Sequence, residues 1–182
     1  MATETIPDRK LFPSRKELES WKLVDDARQL FWGLREAFNS FPEFATQAAL
    51  ATFWGKNEVE FQIGSHRFSI RHDSKKPIDP KDYSVQFSEG LRVTHNEEIV
   101  KDGKQARKWE DIWILKVDRR SSGGGDYSQL NISYHSHITV QDGTRFGTDV
   151  ERIGDTRSEA AIQHIKDFTE RVKALQNSPK TT

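Results

Sequence analysis

The chain has 182 residues, with 28 basic and 28 acidic side chains and no cysteine. That length suits one domain with one core, and zero net charge removes the long-range field that draws basic proteins to nucleic-acid backbones or anionic lipid. Without thiols, disulfides, thiol catalysis and thiolate metal sites are excluded. No run of about 18 apolar residues is present to span a bilayer, and the polar opening MATETIPDRK lacks the apolar stretch of a secretory signal. The expected setting is cytoplasmic and soluble, with no membrane attachment and with nucleic acid disfavoured as a partner. Asn131-Ile132-Ser133 matches a glycosylation acceptor, which has no meaning without export.

Residues 1–13 mix charges with two prolines and show no period, and they read as a mobile N-terminal segment. Ser14 and Glu17 have capping-box spacing. Leu18, Trp21, Val24, Ala27, Phe31, Leu34 and Phe38 then recur three and four residues apart, predicting an amphipathic helix over about 15–39. Pro42 at a first helical position and Gly55 beyond the end predict a second helix over about 42–54. The small residues Ala45, Ala48, Ala49 and Ala51 suit close packing against a neighbour.

The period then changes to two. Val59, Phe61 and Ile63 alternate with polar residues, Gly64-Ser65 suits a two-residue turn, and Phe68 and Ile70 alternate again, which predicts a hairpin. The loop SKKPIDPKD follows. Tyr83, Val85 and Phe87 form a further alternating run, with a turn expected at Ser88-Glu89-Gly90 before a strand beginning at Leu91 and Val93. Asp102-Gly103 marks a hairpin tip. The stretch from Trp109 to Val117 is apolar at nearly every position and reads as a central strand covered on both faces.

RRSSGGGD, from Arg119 to Asp126, reads as a flexible connection rather than a phosphate cradle, because a strand and not a helix follows it. A long strand from Tyr127 to Val140, a tight turn at Asp142-Gly143 and a partner strand from Arg145 to Ile153 end the meander. Thr156 and Glu159 have capping-box spacing, and Ala161, Ile165, Phe168, Val172 and Leu175 repeat at helical spacing. Together they predict a C-terminal helix over about 157–176, with Asp167 and Arg171 placed to pair across one turn. The tail, residues 177–182, reads as disordered.

The fold class expected is therefore α+β: a curved antiparallel β-meander of seven to eight strands packed against two N-terminal helices and a C-terminal helix. Residues 14–176 form a single domain in this reading.

Few residues carry chemistry. His135 and His137 share one strand face with Asn131, Ser133 and Thr139, and two imidazoles about 7 Å apart along a strand can contribute to one transition-metal site. Further ligands would come from neighbouring strands, with His66, His72 and His95 as the sources. His66 and His72 share the parity of Phe68 and Ile70, which places them at the two ends of an apolar strand face. Glu110 and Asp111 read as solvated charges flanking the central strand.

Trp32 lies just off the stripe of the first helix. Trp109, Trp113 and Leu115 share the face opposite Ile112 and Ile114, so one of these two faces needs cover from a partner protein, a second subunit or an apolar ligand. The function expected is a non-catalytic binding or interaction module holding a partner protein or a small apolar ligand, with no cofactor implied. The alternative is a small enzyme with a cup-shaped pocket, metal-dependent through His135 and His137.

Overall fold

A computed structural model of the chain describes residues 25–53, 56–75, 87–120, 125–157 and 159–177. The elements follow as α1 (Asp25–Asn39), α2 (Pro42–Phe53), β1 (Glu58–Ile63), β2 (His66–Lys75), β3 (Phe87–Lys101), β4 (Lys104–Arg120), β5 (Asp126–Asp142), β6 (Arg145–Arg157) and α3 (Glu159–Leu175). The six described strands form one curved, open antiparallel sheet in sequence order. The α+β meander between N-terminal and C-terminal helices is the architecture expected from the sequence.

Three tight turns set the register. Asp102 (φ 52°) and Gly103 (φ 74°) both adopt left-handed backbone, the turn that matches the twist of a two-residue hairpin, and they join Lys101 to its partner Lys104. Gly64-Ser65 joins Ile63 to His66, and Gly143-Thr144 joins Asp142 to Arg145. Because side chains alternate along each strand, these registers collect Val59, Phe61, Phe68, Ile70, Leu91, Val93, Ile112, Ile114, Ile132 and Tyr134 on one face. That face and the apolar stripes of the three helices form the core.

The helices lie side by side over this face, with α2 against β1, α3 against β5 and β6, and α1 between its two helical neighbours. At the α2 end, Phe38 meets Phe61 and Phe68 edge-on at centroid distances of 5.8 and 5.6 Å, and Phe61 stacks on Phe68 at 5.2 Å. Such pairs add about 0.5–1.5 kcal/mol beyond the area they bury. Ser40 also ties α1 to the end of α3 by accepting a hydrogen bond from Gln176.

Several expectations need correction. No turn forms at Ser88-Glu89-Gly90, because β3 runs unbroken from Phe87 and pairs Gly90 with Asp73 on one side and Leu115 on the other. Glycine serves close approach there: a Cβ on Gly90 would stand 3.0 Å from the Leu115 side chain. Thr156 does not cap α3. Pairing with β5 carries β6 on through Arg157, and the Thr156 hydroxyl donates to the Gly154 carbonyl instead. The expected capping box at Ser14 and the run from Tyr83 to Gln86 fall outside the described residues, as does most of the Ser121–Gly125 connection.

The central strand is also not covered equally on both faces. No described element lies over the face away from the helices, and Trp109, Trp113 and Leu115 are half-buried there among polar neighbours.

Phe38 is fully buried at the aromatic junction, and Val100 is exposed beside a hairpin tip. Chemical denaturation should therefore show Phe38→Ala costing about 3–5 kcal/mol, while Val100→Ala stays within about 0.5 kcal/mol of the parent.

Candidate functional site

Polar side chains enter the helix-facing side of the sheet where β3, β4 and β5 place His95, Glu110 and Ser136 side by side. Glu110 has the parity of Ile112 and Ile114 and so enters the core, where it is 0% exposed. A buried carboxylate is tolerable only if donors replace its water. Four side chains do so. His95 Nδ1 donates to Oε2 at 2.8 Å, the Tyr134 hydroxyl to Oε1 at 2.5 Å, and Arg171 of α3 to both oxygens at 3.1 and 2.5 Å. The Lys108 ammonium stands 3.4 Å from Oε1.

Burial by itself would raise the pKa of Glu110. Hydrogen bonds from His95 and Arg171, the charge of Arg171 and the hydrogen bond from Tyr134 outweigh it and hold the carboxyl well below the usual carboxylate range. The same contacts act in reverse on the donors. Burial pushes the Tyr134 hydroxyl up, as do the charge and hydrogen bond of Glu110. For Arg171, burial favours proton loss, but the Glu110 hydrogen bond and charge more than compensate and raise its pKa.

An ionised Glu110 has no proton to give, so the proton of the His95–Glu110 hydrogen bond sits on His95 Nδ1. In the neutral ring this leaves Nε2 as a lone pair, and Nε2 lies 3.1 Å from His66 Nδ1. His66 Nε2 is in turn 3.8 Å from Glu97 Oε1. Burial lowers the pKa of His66, with the charge of Glu97 opposing and those of His95 and Arg171 reinforcing the shift, so the neutral ring is favoured. Phe68 stacks on His95 at 4.7 Å and on His66 at 6.3 Å, and Phe168 meets His95 edge-on at 5.7 Å, which gives this chain of rings an apolar wall.

The opposite face has a different character. Asp111, directly beside Glu110 in sequence, points there and accepts two hydrogen bonds from Arg92, at 2.9 and 2.8 Å, and one from the Trp113 indole at 3.2 Å. The Arg92 guanidinium lies over the Trp113 ring at 4.8 Å. Next to this cluster runs a groove of about 610 Å³ whose lining includes Trp113, Leu115, Asn131, Ser133, His135 and Arg157. Asp155 holds Arg157 in place through two hydrogen bonds.

The residues singled out from the sequence therefore separate. Trp113 and Leu115 share the groove, while Trp109 is the cross-strand partner of His137 and packs against His137 and His135 at 4.9 and 5.6 Å. Trp32 is on α1, packed against the core beneath Arg35, and joins neither. His135 and His137 are neighbours, with ring centroids 6.1 Å apart, and His135 Nε2 is buried without a hydrogen-bond partner among the described residues.

Metal-type side chains gather elsewhere. Among the described residues, the one set of three whose ligand atoms all lie within 4.8 Å of one another is His66, His95 and Glu97. His72 lies at the far end of its strand face, half-buried and paired with Leu91 in β3.

Glu110 and Asp111 are the clearest departures from the sequence reading, since both are buried and fully engaged rather than solvated. The expected pair between Asp167 and Arg171 does not form either. Arg171 turns to the buried carboxylate, where its charge is worth more than on a wet surface, and Asp167 accepts from Gln163.

No protein-family model, curated protein or solved structure matches this chain.

Glu110→Ala strands His95, Tyr134 and Arg171 and should cost about 3–5 kcal/mol in chemical denaturation. A carboxyl held below its unfolded pKa contributes stability that is complete above the ordinary carboxylate range and is lost as pH falls through and below it. Acid titration followed by circular dichroism should accordingly show the parent losing stability over that window, with Glu110→Gln starting lower and falling less.

Proposed function

We propose that the chain is a non-catalytic binding module and that its ligand lies in the groove beside Trp113. The carrying observation is the groove itself: about 610 Å³, with Trp113 and Leu115 as an apolar surface and Asn131, Ser133, His135 and Arg157 as a hydrogen-bonding rim. That volume falls within the range of small-molecule sites, which combine apolar walls with a few placed polar groups.

The anchor is also pre-ordered. Asp111 fixes the Trp113 indole and Arg92 covers one face of the ring, so little side-chain freedom is lost when the remaining surface is covered. Gly90 supports the same arrangement, since a larger residue would push against Leu115. The rim argues for a ligand with a flat apolar body and polar edges, because a wholly apolar molecule would leave these donors and acceptors unpaired. His135, in the groove's wall, also has an Nε2 that is buried and without a hydrogen-bond partner among the described residues.

Anilinonaphthalene sulfonate has this chemistry and serves as the probe. Fluorescence titration should give a single class of site, weakened about tenfold by Trp113→Ala and by Leu115→Ser, a change of about 1.4 kcal/mol in each case. Leu50→Ser, on the exposed side of α2, should leave binding unchanged. Equal binding by all four proteins, or none by the parent, would count against the groove.

A further inference from the structure

We infer that His66, His95 and Glu97 form a binding site for a divalent transition-metal ion of the zinc class. Three features of the geometry support it, and none depends on the groove across the sheet. The first is ligand spacing. Two nitrogens each about 2.0–2.1 Å from a tetrahedral ion lie about 3.3 Å apart, and His66 Nδ1 and His95 Nε2 already lie 3.1 Å apart. The Glu97 carboxylate completes a set whose ligand atoms lie within 4.8 Å of one another.

The second is the shell behind the ligands. A metal-binding histidine characteristically donates its other ring N–H to a carboxylate, which fixes the tautomer and aims the free nitrogen. His95 Nδ1 does this to Glu110 at 2.8 Å, and Tyr134 and Arg171 hold that carboxylate in turn. Phe68 and Phe168 supply the apolar surround that holds the imidazole in position.

The third is access. His95 is 3% exposed, but the side chains of His66 and Glu97 retain 20% and 24% exposure at the end of the β2–β3 ladder, where they are cross-strand partners. An ion therefore has a path in, and metal-free protein needs no unfolding to load.

Two imidazoles and one carboxylate form the donor set of open zinc sites, which leave one tetrahedral position for water or a ligand atom. The cations facing the site are Arg171 and Lys108, and both are directed at Glu110. Binding costs the His66–His95 hydrogen bond and replaces it with two metal–nitrogen bonds.

The test uses the untagged full-length chain stripped by chelator and titrated with zinc chloride by calorimetry, with cobalt(II) as an optical probe. The expected result is one equivalent of zinc and a visible absorption band of tetrahedral cobalt. His66→Ala and Glu97→Gln should each weaken zinc binding about tenfold or more, while the double variant His135→Ala/His137→Ala, judged folded by circular dichroism, should bind like the parent. Glu97 is half-exposed, so its variant tests the site even if His66→Ala folds poorly. Absence of stoichiometric uptake, uptake unchanged in Glu97→Gln, or uptake lost in the His135/His137 double variant would each overturn the assignment.

Discussion

A full negative charge inside the core requires the surrounding elements to take fixed positions, and Glu110 places that requirement at the middle of the sheet. Lys108 is the one partner from β4 itself, and the three donors that hydrogen-bond the two oxygens lie on other elements. They come from β3 through His95, from β5 through Tyr134 and from α3 through Arg171. The apolar stripe of α3 alone would tolerate a small slide or rotation over the sheet. The two-pronged bond from Arg171 does not, because a displaced guanidinium would leave the carboxylate unpaired in a medium where that is costly. One interaction thus joins the two layers and fixes the tautomer of His95.

The alternation of β4 then divides the chemistry of the molecule. Glu110 and Asp111 are adjacent in sequence and point to opposite sides, each neutralised by an arginine, Arg171 on the helix side and Arg92 on the other. Behind Glu110 lies a ring chain that ends at the half-exposed His66. Behind Asp111 lies a fixed tryptophan beside a groove. Two candidate sites with different ligand chemistry therefore share one strand, and each is ordered by a carboxylate of that strand. β6, at the edge of the described sheet, carries three register shifts against β5, and the one between Tyr134 and Ser136 falls beside the groove.

Much of the fold is legible in the sequence because its signals are local. Helical spacing marks α1 and α3, Pro42 marks the start of α2, and glycine-bearing turns place three hairpins. The errors arise where a local signal loses to a distant partner. Thr156 has a capping pattern, but strand pairing to Tyr134 carries the chain onward. Gly90 resembles a turn residue, and only the register against Leu115 reveals a close approach.

The metal-type cluster was less legible for the same reason. Parity does place Glu110 with Ile112 and Ile114, and His95 with Leu91 and Val93, so charged or polar residues in core positions were a readable sign. What the sequence does not contain is their mutual register: that His66 faces Glu97 follows only from the pairing of β2 with β3, and that His95 faces Glu110 from where the β3–β4 turn closes. Arg171, 61 positions from Glu110, carries no local mark of its role.

The central claim is that an ionised Glu110 holds the His95 proton on Nδ1. Long-range proton–nitrogen NMR of the histidine side chains, recorded on metal-free protein across the pH range in which it stays folded, tests this directly. The account predicts that His95 Nδ1 remains protonated throughout, with Nε2 as the nitrogen that is bare in the neutral ring. A His95 ring with Nε2 protonated and Nδ1 bare, or one averaging freely between tautomers, would contradict it.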